Sequence, residues 1–115
     1  MTRTPQEIFQ HHAGALSAGD IDEIVADFTD DALFITPAGV LRGKARVREG
    51  FTALLNDLPN AEWDVATQIF EGDVLLIEWS AVSKAARATE GVDTLVFSDD
   101  GIRVQTVRYT LESVR

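Results

Sequence analysis

The hydrophobic period of this chain changes at Pro59-Asn60, and that change limits the architectures open to it. Before it, apolar residues recur at helical spacing. Ile8, Phe9, Ala13 and Leu16 form one arc, Ile24, Val25 and Phe28 a second, and Val47, Phe51, Leu54, Leu55 and Leu58 a third. After it, strand-like runs cover residues 62–70, 74–83, 89–97 and 102–112. They are separated by Glu71-Gly72-Asp73, a less defined connection at 84–87, and Ser98-Asp99-Asp100-Gly101. Helices followed by long strands joined through tight turns predict an α+β fold with an antiparallel meander, not an alternating α/β sheet.

The helix starts carry their own signals. Thr4-Pro5-Gln6-Glu7 offers a cap, a proline suited to the first helical position and a capping-box glutamate. Asp20-Ile21-Asp22-Glu23 repeats the box after Gly19 ends the first helix, and its three acids suit the positive end of the helix dipole. A short strand, Leu33-Phe34-Ile35-Thr36, turns through Pro37-Ala38-Gly39 into Val40-Leu41 before the third helix opens at Gly43. At 115 residues the chain reads as one domain spanning residues 1–115, and its stability is marginal unless a partner subunit helps.

The charge narrows the partners. Nineteen acidic and ten basic side chains give a net charge of −9, which repels nucleic acid and anionic membrane surfaces. The one basic cluster, Arg42, Lys44, Arg46 and Arg48, either holds a phosphate or is a solvated helix start. With no cysteine there is no disulfide, thiol nucleophile or Cys-ligated metal. Neither a signal-peptide-like run at Met1-Thr2-Arg3-Thr4-Pro5 nor a membrane-length apolar stretch is seen, which points to a cytoplasmic protein.

The segment from Ala18-Gly19-Asp20 through Asp27-Phe28-Thr29-Asp30-Asp31-Ala32 resembles the second-helix signature of the nuclear transport factor 2-like superfamily, which includes ketosteroid isomerase and the SnoaL-type polyketide cyclases. Thr36-Pro37 after the first strand, Gly43 before the third helix and Asp99-Asp100-Gly101-Ile102 before the last strand follow in the same order. The resemblance implies three N-terminal helices on a strongly curved antiparallel sheet, with an apolar pocket between them. It also implies a homodimer formed through the outer sheet face. Fold alone assigns no activity.

Two titratable residues stand out. At about 100° per residue, His12 lies near 40° on a wheel where Ile8 is at 0° and Leu16 near 80°, so it faces inward; His11 falls at the flank. By resemblance His12 also takes the place of the oxyanion-binding tyrosine of ketosteroid isomerase. Asp93 alternates onto the face of Leu95 and Phe97, where desolvation raises a carboxyl pKa. The resemblance gives that position an acid/base or oxyanion-hole aspartate. Each residue also has a plainer reading, a buried histidine with one hydrogen bond and a carboxyl held by His12 or a backbone donor.

The resemblance further puts Thr36 where the isomerase carries its general-base aspartate, and a threonine hydroxyl cannot do that work unaided. Trp79 shares a face with Leu75, Ile77 and Ala81, as core or pocket wall. Glu78, alone on the opposite apolar face, suggests a dimer surface with Arg103 or Arg108 as its partner. On the last strand Gln105, Val107, Tyr109 and Leu111 share the more apolar face, so Gln105 and Tyr109 are preferred as pocket residues. His11 and His12 diverge too far for a metal pair, and no phosphate loop or nucleophile elbow occurs, so no cofactor or metal is expected. Three readings result: acid/base chemistry by Asp93 and His12 on a small apolar carbonyl compound, non-catalytic binding of a small apolar molecule, or a dimeric interaction domain.

Overall fold

The computed structural model describes residues 3–98 and 101–113. Its elements run α1 Pro5–Ala18, α2 Ile21–Ala26, β1 Phe28–Thr36, β2 Gly39–Arg42, α3 Lys44–Asp57, β3 Glu62–Glu71, β4 Val74–Val82, β5 Ala86–Ser98 and β6 Gly101–Ser113. Asp99 and Asp100 of the expected last turn lie outside the described residues. None of the helices among the described residues is long and apolar enough to cross a membrane.

The local signals act where they were read. Thr4 Oγ1 accepts from the Glu7 amide at 3.1 Å and Glu7 returns the bond to the Thr4 amide at 2.7 Å. Gly19, at φ 68°, closes α1 in the left-handed conformation that glycine adopts without strain. Asp20 caps α2 through the Glu23 amide, half of the expected box. The boundary after it differs from expectation. The second helix stops at Ala26, so Phe28 belongs to β1 and enters the core from the sheet.

The six strands form one sheet in the order β2-β1-β6-β5-β4-β3. Strands β3 to β6 make the antiparallel meander, but β1 joins β6 in parallel, so the sheet is not antiparallel throughout. A parallel pair needs a long connection, and here β2, α3 and the first three meander strands supply it. The connection after β4 is also tighter than expected. Ser83 Oγ donates to the Ala86 carbonyl and accepts from the Ala85 and Ala86 amides, and β5 begins at once.

The core lies between the helices and the inner face of the sheet. Ile8, Ile24, Val47 and Phe51 come from the helices; Phe34, Leu75, Leu95, Phe97 and Ile102 come from the strands. Phe34 and Phe51 stack with centroids 4.5 Å apart. The outer face keeps Ile69, Val74, Leu76, Val82 and Val92 exposed. Glu78 on that face does not pair with Arg103 or Arg108. It accepts from Thr67 Oγ1 at 2.7 Å, while Arg108 lies against Glu90, which sits in the bulge between Thr89 and Val92.

Candidate functional site

A cavity of about 130 Å³ opens between α1, α3 and the inner sheet face. Phe9, Leu16, Phe51, Leu54, Trp63 and Ile77 make its walls mostly apolar; His12, Ser17, Trp79, Asp93 and Gln105 provide its polar groups. Four residues singled out in the sequence are therefore brought together.

Asp93 is held by diagonal neighbours on both adjoining strands. It pairs with Ile77 on β4 and Val107 on β6, while Trp79 stands opposite Gly91 and Gln105 opposite Leu95. Side chains two residues off register remain within reach of one another when one is long or aromatic. Trp79 Nε1 donates to Asp93 Oδ1 and Gln105 Nε2 donates to Oδ2, each at 2.8 Å. Gly91 makes the first bond possible, since a β-carbon there would overlap the indole ring. Trp79 is thus both wall and donor, and Asp93 is held by neither His12 nor a backbone group. Burial pushes the Asp93 carboxyl up to about 6, and the two donated bonds limit the rise.

His12 reaches the same cavity from α1 through an aromatic cage. Its ring meets Phe28 and Phe51 edge-on, at centroid distances of 5.7 and 5.6 Å. Nδ1 is sealed in without a partner, which leaves Nε2 to serve the cavity. Burial drives its pKa down to about 4, so the ring is neutral at pH 7. No hydrogen bond links it to Asp93.

Thr36 and Tyr109 are not in this cavity. They line a neighbouring groove of about 440 Å³ with Leu41, Ala53 and Asp57. Phe34, Leu54 and Val107 line both spaces and form the wall between them. Thr36 Oγ1 accepts from the Ala38 amide at 3.1 Å and shapes the β1–β2 turn. Tyr109 packs on the outside of the Trp79 indole at 5.3 Å. Burial raises its hydroxyl pKa, with Asp57 and Asp93 adding to the effect. Gln105 thus lines the cavity from β6, while Tyr109, four residues further along the strand, has passed its edge; Leu111 is exposed.

Two features escaped the sequence reading. Trp63 and Leu54 are cavity walls, and Trp63 was detectable as an aromatic alternating with Val65 on β3. The other is a charged cluster behind the cavity. Asp27, buried at 1% exposure, accepts from Arg3 Nη1 at 2.8 Å and meets His11 Nδ1 at 2.5 Å, while His11 Nε2 meets Glu23 at 3.0 Å. The Asp27 hydrogen bond is the main reason that the His11 pKa is raised. Among the described residues no group of three or more His, Asp or Glu side chains could hold a metal ion.

Comparison with known proteins agrees with this architecture. Among curated proteins, none matches the sequence. The chain is similar in structure to an NTF-2 like protein of unknown function from Burkholderia xenovorans LB400, at 24% identity over 92% of this chain and 82% of that one, with a TM-score of 0.75. It is also similar to a "putative ketosteroid isomerase" from Kribbella flavida, at 15% identity, 95% and 79% coverage and a TM-score of 0.77. A "putative polyketide cyclase" from Sinorhizobium meliloti matches at 14% identity, 88% and 93% coverage and a TM-score of 0.75. At such identities these neighbours show the fold, the three-helix, curved-sheet architecture of the nuclear transport factor 2-like proteins. The family model of the SnoaL-like domain matches residues 9–105, from the first helix through Gln105, and the chain belongs to that family.

Proposed function

We propose that this domain carries out acid/base chemistry on a small, largely apolar carbonyl compound, with Asp93 as the proton-transfer group. The observation that carries the reading is a buried carboxyl at the cavity with its pKa near 6, both oxygens oriented by neutral donors. A general base works best when its pKa lies close to the working pH. Ionised Asp93 takes a proton from the carbon next to the carbonyl; the C–H electrons form the enolate double bond and the carbonyl π pair moves to oxygen. His12, neutral at pH 7, supports that oxygen through an Nε2–H hydrogen bond. Asp93 then returns its proton to carbon, at the same or a conjugated position.

Size restricts the compound. An engineered apolar cavity of about 150 Å³ accommodates benzene, so the 130 Å³ here suits about one six-membered ring. A fused four-ring steroid does not fit. Thr36, outside the cavity, cannot supply the second carboxylate of a steroid isomerase.

The test is deuterium uptake at the α-carbon of cyclohexanone in D2O, followed by NMR. Asp93→Asn should lower the protein-catalysed rate by about 100-fold or more, and His12→Phe by about tenfold. Undiminished exchange in both variants sinks the assignment. A binding-only reading is favoured by the missing hydrogen bond between His12 and Asp93; it is supported if cyclohexanone binds and no exchange appears. The proposal includes a second copy of the chain on the outer sheet face, where Ile69, Leu76 and Val92 are exposed. Leu76→Glu should then turn a dimer into a monomer by sedimentation, without lowering the monomer's own stability.

A further inference from the structure

The cavity meets solvent on one side. Among its described lining residues, the half-buried or exposed ones are Ala13, Leu16 and Ser17 of α1 and Trp63 and Val65 of β3; the others are buried. Strand β3 ends the sheet, so the mouth lies between α1 and this edge strand. Leu16, Ser17 and Trp63 also line a second space of about 220 Å³, which continues along Ala18, Leu55, Leu58 and Ala61. The residues shared with the Thr36–Tyr109 groove differ in kind. Phe34, Leu54 and Val107 are at most 7% exposed and make a closed partition, whereas Leu16 and Trp63 are half-buried and Ser17 is exposed, as a rim would be. Trp63 stands 5.5 Å from Trp79, whose indole holds Asp93, so the two rings lead from the carboxyl to the rim.

We propose that the carbonyl compound enters between α1 and β3 and carries an apolar chain, which runs over Trp63 into the second space while its ring lies at Asp93. The substrate class is then a cyclic ketone of about one ring with a saturated side chain of a few carbons. This rests on the carbonyl reading above and makes Leu16 and Trp63 specificity-determining residues at the rim. The 130 Å³ cavity holds the reacting ring alone, and the outer space takes what the ring carries. Apolar surface that stays wet beside a ligand cavity is a source of affinity for a compound that covers it. Each methylene removed from water there strengthens binding by about fourfold.

The experiment compares cyclohexanone with 4-propyl- and 4-pentylcyclohexanone, titrated into the full chain at pH 7.5 and followed by NMR. The pentyl compound should bind about tenfold or more tightly than cyclohexanone. Its chain should shift the backbone amides of Ala18, Gly19 and Ala61, which cyclohexanone leaves in place. Ala18→Trp, at the exposed last residue of α1, puts a ring into the outer space, and the affinity ratio should then fall to near one. If this variant does not fold, the amide shifts of the wild-type protein decide. Equal affinities, an advantage that survives Ala18→Trp, or chain-dependent shifts at Thr36, Asp57 and Tyr109 instead overturn the proposal. Failure of every ketone to bind overturns both this proposal and the carbonyl reading. Deuterium exchange separates the two otherwise. A chain preference without α-exchange sinks only the acid/base reading, and exchange without a chain preference sinks only this one.

Discussion

Asp27 and Asp93 are both almost wholly buried, at 1% and 4% exposure; Asp27 contacts His11 of α1, and Asp93 shares a cavity with the adjacent His12. Their surroundings differ in one respect, the charge of the donors. Asp27 faces the Arg3 guanidinium and His11, whose raised pKa favours its cationic form. Asp93 faces an indole and a carboxamide, neither of which can carry charge. A carboxylate matched by cations ties elements together, here the segment before α1, α1 itself and the junction before β1. One matched only by neutral dipoles keeps a proton affinity near neutrality and can exchange it. The same helix serves both because successive residues point about 100° apart.

The largest expected effect comes from exchanging the histidine environments' charge. His12→Lys puts an ammonium group into the aromatic cage and should cost about 3 kcal/mol or more. His11→Lys keeps a cation near Asp27 at a half-exposed position and should stay within about 1 kcal/mol. Urea denaturation of the two variants checks this, and similar losses would erase the contrast.

Next comes Asp27→Asn, which leaves Arg3 and His11 without their buried anion and should cost about 2 kcal/mol. It should also remove a pH dependence. A histidine with a raised folded pKa stabilises fully below its unfolded value near 6.5, and that stabilisation is lost as pH rises through the folded value. The wild-type advantage over Asp27→Asn should therefore shrink from pH 6 to pH 8. An unchanged difference would show that His11 is not coupled to Asp27. Asp93 and His12 act in other directions. The Asp93 shift, from 3.8 to about 6, removes stability as pH rises through that interval. The His12 shift, from 6.5 to about 4, removes it as pH falls through its own. The two oppose each other between those limits.

Gly91→Ala is expected to cost about 1–3 kcal/mol, because the new methyl would overlap both the Trp79 indole and the Trp79 carbonyl oxygen. Its value lies in the carboxyl it disturbs. Moving the indole off Oδ1 removes a bond that lowers the Asp93 pKa, so the pH midpoint of deuterium exchange should move upward. An unmoved midpoint would mean that the indole bond does not tune Asp93.

What could be read from the sequence follows the range of the forces involved. Thr4 with Glu7 and the Gly19 stop are determined within a few residues, so the helix limits they set were legible. His12 was legible as inward because a helix keeps its period. Phe28 was assigned to a helix because its spacing fits one, yet pairing with Ile102 makes it a strand residue. That pairing joins the first strand to the last and leaves no local trace. The face of Asp93 followed from alternation, but its donors did not. They depend on the registers of β4 and β6 against β5, including a bulge that alternation cannot locate. Thr36 and Tyr109 fell outside for a similar reason, since a strand face says nothing about where along its length a cavity ends.

The wall of Phe34, Leu54 and Val107 between cavity and groove has a further consequence. On this side the cavity is bounded by side chains, which substitution can shorten. Shortening Val107 would thin that wall on the side where Tyr109 and Asp57 line the groove, while Phe34 and Leu54 keep their places in it. A designer wishing to enlarge the cavity could begin at that valine and leave Asp93 and its two donors in place.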